Sequence, residues 1–303
     1  MADSSGPGLV DGAGSGGADS TGFAVVDLPG AGPPIIFLHG LGGASTLDYA
    51  QVVDAPELRG YRRVLVDLPG FGRSARGCPP RLDCSITGYA RFLDAWLNSM
   101  GATGSLDPPS RGTVSHAPAD GVEPDRRLPA PVVLFGHSAG GAVALSLAAL
   151  RPERVAGIIL TEANLDAGGG TASRAIAERS EESFVSRGHA ALVRTERAKA
   201  NPWAQTVALA NPVALHREAC SLVAGVTPSW RDIFYALTCP KAYVLGEHNL
   251  PDPDVTELPC HGVEVMTVPD TGHNMAWENP AGLGAVVGRF VREAGGNCLG
   301  TCN

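Results

Sequence analysis

The sequence predicts an α/β fold in which a mostly parallel sheet is covered by helices on both faces. Short, continuous apolar segments recur along the 303 residues, and segments with helical periodicity separate them. Strands without polar alternation are typical of parallel sheets that are buried on both sides. A stretch of about 70 residues without a strand pattern interrupts the series, which indicates an inserted helical cap.

Six apolar segments fit the description of buried strands. They are residues 33–39, 62–67, 132–136, 155–161, 241–246 and 263–268.

Helical patterns lie between and after these strands. Ser85 can cap a helix whose apolar residues recur every three or four positions. We expect further helices at 139–151 and from about 280 to 293, and cap helices near 172–187, 189–200 and 212–224.

These patterns define the expected domain organisation. The core comprises residues 22–162 and 236–294, and the cap comprises residues 163–235. Residues 102–131 are rich in Pro, Gly, Ser and Asp and predict a flexible insertion. Residues 1–21 predict a disordered tail, and residues 295–303 a C-terminal tail.

Composition excludes several classes of function. The net charge of −8 disfavours binding of nucleic acid, which needs clustered cations. No apolar run is long enough to span a membrane, and the N-terminus lacks the pattern of a secretory signal, so we expect a cytoplasmic protein. The seven scattered cysteines favour free thiols, and no metal site or nucleotide-binding motif is recognisable, so no cofactor is expected.

The sequence Gly136-His137-Ser138-Ala139-Gly140 fits the pattern G-x-S-x-G between a strand and a helix. Such a sharp turn strains the serine backbone and brings neighbouring backbones close, so its flanking glycines avoid clashes. This context predicts that Ser138 is a nucleophile exposed at a helix N-terminus.

Acyl transfer to a serine needs two backbone N–H groups that stabilise the developing oxyanion. Ala139, directly after the nucleophile, is expected to supply one. The turn His39-Gly40-Leu41-Gly42-Gly43 follows an earlier strand, and we expect the Leu41 amide to supply the other. The side chain of His39 is expected to brace this turn.

His273 is the predicted general base because it lies on a loop between the last strand and the last helix. His248, on the loop after residue 246, is the main alternative.

The acid that orients this histidine must lie between Ser138 and His273. Asn249 occupies the usual position after strand 241–246 and cannot supply a charge. We therefore predict Glu162, at the end of strand 155–161, with Asp252 and Asp254 as alternatives.

Four motifs together resemble the α/β-hydrolase superfamily: HGLGG at 39–43, DLPGFGRS at 67–74, GHSAGG at 136–141 and TGHNMAWENP at 271–280. The resemblance covers about 22–162 and 236–294, and it implies an eight-stranded sheet with a hydrolytic triad. The position of Glu162 is similar to that of the acid in some haloalkane dehalogenases. Those enzymes use an aspartate nucleophile, and Ser138 argues against that chemistry.

The predicted function is therefore hydrolysis of a small-molecule ester or thioester through an acyl-enzyme. Hydrolysis of a C–C bond, perhydrolysis, aminopeptidase activity and non-catalytic binding of a small molecule remain alternatives. Cap aromatic residues are candidates for an acyl pocket: Trp203, Trp230 and Tyr235.

Overall fold

Seven strands form one sheet in the computed structural model, which describes residues 23–76, 83–103 and 131–298. The strands are β1 (Val25–Leu28), β2 (Ala31–Leu38), β3 (Tyr61–Val66), β4 (Val132–His137), β5 (Val155–Thr161), β6 (Lys241–Gly246) and β7 (Glu264–Val268). Their order is β1-β3-β2-β4-β5-β6-β7, and β1 is the antiparallel strand. The mostly parallel α/β fold is confirmed, with seven strands in the described residues where eight were expected.

Helices flank the sheet and fill the connection between β5 and β6. They are α1 (Ser45–Asp48), α2 (Ile86–Thr103), α3 (Ala139–Leu150), α4 (Thr171–Ala177), α5 (Glu181–Ser183), α6 (His189–Ala198), α7 (Trp203–Val207), α8 (Pro212–Ala224), α9 (Trp230–Ala236), α10 (Asp254–Glu257), α11 (Met275–Glu278) and α12 (Pro280–Cys298). We refer to α4–α9 as the helical insert; it corresponds to the predicted cap. None of the helices in the described ranges is long and apolar enough to cross a membrane.

The edge strand β1 is absent from the sequence prediction. It has only four half-buried residues, so it carries neither a continuous apolar run nor a clear alternation. Its antiparallel pairing with β3 is reinforced by Arg62, whose guanidinium lies 2.7 Å from the carboxylate of Asp27. The strand is therefore defined by its partner more than by its own sequence.

Two helices extend beyond their predicted ends. Helix α2 reaches Thr103, inside the predicted insertion 102–131, and α12 reaches Cys298, inside the predicted tail 295–303. The rest of the insertion, the end of that tail and the predicted N-terminal tail 1–21 lie outside the described residues.

The sheet separates two hydrophobic clusters. On β2, Ile36 and Leu38 belong to one cluster, whereas Ile35 and Phe37 belong to the other. Successive side chains of a strand point to opposite faces, so each strand contributes to both clusters. This explains why the predicted strands are continuously apolar.

The helical insert shares the cluster formed by α2 and α3. Trp230 and Phe234 of α9 are fully buried in it, as are Ala214 and Leu215 of α8. The indole of Trp230 also donates a hydrogen bond of 3.0 Å to the hydroxyl of Ser146 on α3. The last two helices of the insert are thus part of the main core.

The strand order determines where the functional loops meet. β4 lies near the middle of the sheet, between β2 and β5. The carboxyl ends of parallel strands share one edge, which is where open α/β sheets bind ligands. The loops after β2, β4, β5, β6 and β7 therefore converge at this edge.

Helix α8 carries a carboxyl group into the core. Glu218 is fully buried, and no described group forms a hydrogen bond with either carboxylate oxygen. Burial, together with the nearby Cys84, raises the pKa of Glu218 to about 8. The side chain is therefore neutral at pH 7, which avoids the large cost of an unpaired buried charge.

We expect Glu218→Gln to remove a pH-dependent loss of stability. The unfolded glutamate loses its proton near pH 4.5, whereas the folded one keeps it to about pH 8. The contribution of Glu218 to the free energy of unfolding is therefore greatest below about pH 4.5. Between that pH and about pH 8 it falls by about 1.4 kcal/mol per pH unit. Urea unfolding at pH 5 to 8 should show the variant gaining stability relative to the wild type as pH rises.

The matched control is Glu182→Gln on α5, whose side chain is exposed. It makes the same chemical change outside the core and measures the effect of losing an exposed carboxylate. A difference in stability between Glu218→Gln and the wild type that is constant with pH would contradict the assignment of a buried neutral carboxyl group.

Candidate active site

Ser138 stands at the junction of β4 and α3 in a strained backbone conformation. Its φ is 50° and its ψ is −119°, which non-glycine residues rarely adopt. Strain of this kind persists only where the surrounding structure enforces it, and it is concentrated at functional sites. The turn presents the hydroxyl group at the N-terminus of α3, as the G-x-S-x-G pattern predicts.

The neighbouring glycines permit close backbone contacts around this turn. A Cβ on Gly140 would lie 2.4 Å from the carbonyl oxygen of His39, and one on Gly136 would lie 2.7 Å from the carbonyl oxygen of Gly140. Both distances are shorter than any tolerated contact, so only glycine fits. The end of β2 can therefore lie directly against the start of α3.

This contact brings together the two proposed oxyanion donors. Ala139 is the first residue of α3, and the turn containing Leu41 follows β2. A Cβ on Gly40 would lie 3.2 Å from the Cβ of Ser138, so the turn borders the serine. Leu41 also lines the cavity that contains Ser138.

His39 braces the same turn from below. Its ring is fully buried, its Nε2 accepts a hydrogen bond from the Leu68 amide at 3.1 Å, and its Nδ1 lies 2.9 Å from the Gly40 carbonyl oxygen. The first contact makes Nε2 the acceptor, so Nδ1 carries the proton that it donates to Gly40. Burial lowers the pKa of His39, which favours this neutral form.

Glu162 and His273 lie side by side at the cavity. The carboxylate Oε2 of Glu162 is 3.9 Å from Nδ1 of His273. Both residues line the same cavity as Ser138. His248 is not among the lining residues, so the geometry favours His273 as the base at this serine.

The environment keeps Glu162 ionised. Burial by itself would raise the pKa of Glu162, but His273, the Asn249 amide and the backbone N–H of Gly246 act in the opposite direction and lower it. Asn249 Nδ2 and Gly246 N donate to Oε1 at 2.8 and 2.9 Å. Oε2 is thereby left to face the histidine.

The alternative acids have other partners. Asp254 forms an ion pair with Arg231 at 2.7 Å, and Asp252 accepts a hydrogen bond from the Asp254 amide at 2.8 Å. Neither aspartate lines the cavity that contains Ser138 and His273. Glu162 is thus the predicted acid that the fold brings next to His273.

Three residues near Ser138 escaped the sequence analysis. Asn164, two residues after Glu162, accepts a hydrogen bond from the Ser138 hydroxyl at 3.4 Å. His137 packs its ring 4.8 Å from that of His273, and burial together with that neighbour lowers the pKa of His137 to about 3, so this ring is neutral. The one sequence signal for Asn164 and His137 was that each lies close in the chain to a predicted site residue, Glu162 and Ser138 respectively.

Asp48 is the third such residue, and it lies on α1 close to the turn of residues 39–43. It lines the cavity, and its carboxylate accepts a hydrogen bond from the Ala44 amide at 2.9 Å. Burial raises the pKa of Asp48 to about 7, although the hydrogen bond from Ala44 opposes the change. No motif distinguished this aspartate from an ordinary surface residue.

A cavity of about 650 Å³ lies above Ser138 and is closed on one side by the helical insert. Trp203 of α7 lines it, and the indole Nε1 donates to the carbonyl oxygen of Leu41 at 2.8 Å. The turn allows this approach because Gly42 has no side chain: a Cβ there would lie 3.1 Å from the indole nitrogen. Trp203 therefore joins the insert to the proposed oxyanion turn.

The other two aromatic candidates do not line this cavity. Trp230 is buried against α3, as described above. Tyr235 stacks on His261 with 3.6 Å between ring centroids and donates to the carboxylate of Glu257 at 2.7 Å. The prediction of an acyl pocket lined by these two residues is wrong because packing and polar contacts elsewhere engage both rings.

No group of three or more potential metal ligands occurs among residues 23–76, 83–103 and 131–298. A hydroxyl, an imidazole and a carboxylate line one cavity, and such a set of groups can perform acyl transfer to a serine.

Comparison with known proteins identifies the family of this chain. The sequence pattern of the alpha/beta hydrolase family matches residues 35–286, which include the second half of β2 and all of β3 to β7. The chain belongs to the alpha/beta hydrolase family. The mostly parallel sheet of the described residues is consistent with this membership.

Individual curated relatives match only part of this chain. Lipase LipV of Mycobacterium tuberculosis is 34% identical over 96 residues, which are 32% of this chain and 25% of the lipase. A haloalkane dehalogenase of Mesorhizobium japonicum is 28% identical over 145 residues, 48% of this chain and 36% of the dehalogenase. This α/β hydrolase thus aligns with only a quarter to about a third of the length of these curated relatives.

A solved structure of a thermophilic esterase from Thermogutta terrifontis superposes with a TM-score of 0.67 at 21% identity, covering 90% of this chain and 93% of the esterase. At this identity the similarity establishes the fold.

We expect Trp203→Phe to loosen the turn at Leu41 without unfolding the protein. The variant keeps the aromatic ring but loses one hydrogen bond, a net contribution of about 1 kcal/mol. Amide hydrogen exchange of residues 41–44 should accelerate about fivefold. Trp96→Phe, which alters a half-buried tryptophan of α2, is the control and should leave these amides unchanged.

Proposed function

We propose that this α/β hydrolase cleaves a small-molecule carboxylic ester through an acyl-enzyme on Ser138. The observation that carries the proposal is the strained turn that presents Ser138 to the same cavity as His273 and Glu162. A cavity of about 650 Å³ suits a small organic substrate. The similarity to proteins named as a lipase and an esterase supports the ester class.

In the proposed reaction, Ser138 Oγ attacks the acyl carbon while its proton passes to Nε2 of His273. The backbone amides of Leu41 and Ala139 stabilise the negative oxygen of the tetrahedral intermediate. The C–O bond of the ester then breaks, and the leaving alkoxide takes the proton from His273. Water repeats the sequence on the acyl-enzyme, which releases the acid and restores Ser138.

Glu162 has an electrostatic and orienting role in this scheme. Its carboxylate faces Nδ1 of His273, which directs the opposite nitrogen to the serine and stabilises the imidazolium. The distance of 3.9 Å is longer than a hydrogen bond, and such contacts commonly shorten when substrate binds.

Dehalogenation is not part of the proposal, although one relative is named as a haloalkane dehalogenase. That chemistry uses a carboxylate nucleophile, and the corresponding position here holds Ser138. A serine oxyanion suits attack on an acyl carbon.

Ser138→Ala should abolish both ester turnover and covalent labelling by a fluorophosphonate, because the variant has no nucleophile. The wild type should gain one adduct, located on Ser138 by peptide mapping and intact mass. Ser186→Ala, at an exposed serine of the insert, should label like the wild type. A wild-type protein that takes no label and turns over no ester would contradict the proposed function in favour of small-molecule binding.

Glu162→Gln should lower kcat by about 10²–10⁴-fold with little change in KM, because the amide cannot stabilise the imidazolium. Steady-state kinetics on an activated ester would measure the loss. Asp252→Asn makes the same chemical change at the alternative acid and should retain activity. If Asp252→Asn is the inactive variant, the acid has been assigned to the wrong residue.

A further inference from the structure

The side chain of Asn249 lies against the carboxylate of Glu162. Its Nδ2 donates to Oε1 at 2.8 Å, and the amide of Gly246 donates to the same oxygen at 2.9 Å. Oε2 faces Nδ1 of His273 at 3.9 Å. The two carboxylate oxygens thus have different partners. Asn249 provides one of the two hydrogen bonds to Oε1, and Oε2 faces the histidine.

The turn that carries Asn249 is hydrogen-bonded to, and packs against, the loop that carries His273. The amide of His248 donates to the carbonyl oxygen of Thr271 at 2.8 Å. Gly246 packs so closely that a Cβ there would lie 2.3 Å from the carbonyl oxygen of Gly272. Asn249 therefore keeps a fixed position relative to both the acid and the base.

The residue at position 249 determines how many negative charges lie beside His273. An aspartate at position 249 would place a second carboxylate at hydrogen-bonding distance from Glu162. Two carboxylates that share a site repel each other, which raises the pKa of one of them. An asparagine of the same shape donates a hydrogen bond and leaves a single negative charge beside His273.

We propose that Asn249 is a positioning residue: it donates to Oε1 of Glu162 and thereby holds the carboxylate with Oε2 facing His273. This inference rests on the proposed function, because it assigns Glu162 and His273 to one proton-transfer unit. Outer partners of this kind commonly contribute about 10–100-fold to the function of the groups that they orient.

A double-mutant cycle tests the proposal: wild type, Glu162→Gln, Asn249→Asp and the double variant. The first readout is the rate of fluorophosphonate labelling at pH 8. The second is the proton NMR resonance of the His273 Nδ1–H, which reports its hydrogen bond and needs no turnover. Thermal unfolding of each variant verifies folding, and Asn249→Ala serves if Asn249→Asp does not fold.

Asn249→Asp should label at least tenfold more slowly than the wild type, although it preserves the shape of the side chain. The double variant should label about tenfold faster than Glu162→Gln, because the pair again holds one carboxylate and one amide. Its Nδ1–H resonance should move back toward the wild-type position. Such recovery is a coupling that independent sites do not show.

Either of two results would overturn the proposal: labelling of Asn249→Asp at the wild-type rate, or a double variant no faster than Glu162→Gln. Asn98→Ala is the control, since this exposed asparagine of α2 likewise donates to a carboxylate, that of Asp94, at 3.3 Å. If the wild type takes no label, the proposed function fails, and the NMR resonances still decide whether Asn249 positions the Glu162–His273 pair.

Discussion

The direct contact between the end of β2 and the start of α3 is the constraint on which the site depends. Gly140 lies where any side chain would collide with the carbonyl oxygens of Leu38 and His39. Because nothing separates the two backbones, the turn after β2 and the first amide of α3 flank one hydroxyl group. The strained φ of Ser138 follows from the same crowding, and the surrounding sheet maintains it.

Three carboxyl groups illustrate how surroundings decide charge within this fold. Donors around Glu162 outweigh its burial, and its pKa is lowered. The Ala44 amide and the Trp277 side chain oppose the effect of burial on Asp48, and its pKa is about 7. Glu218 has no hydrogen-bond donor among the described residues, and its pKa rises to about 8. The number of donors that reach a buried carboxylate thus orders the three groups.

Much of this arrangement could be predicted from local sequence. The continuous strands and the glycine-flanked serine depend on residues that are adjacent in the chain, so the sequence alone predicts them. Contacts between distant segments were not: the pairing of Asp254 with Arg231 and the burial of Trp230 against Ser146 appear only in the folded chain. Asp48 likewise becomes distinctive only because the fold encloses it.

The helical insert is not a uniform lid. Helices α8 and α9 bury Leu215, Trp230 and Phe234 in the same cluster as α3, so displacing them would expose the main core. The insert contributes to the cavity wall mainly through α4, α6 and α7, together with Leu222 of α8. Substitutions on the cavity-facing sides of α4, α6 and α7 can therefore change the shape of the cavity, whereas substitutions of the buried residues of α8 and α9 would disturb the packing against α3.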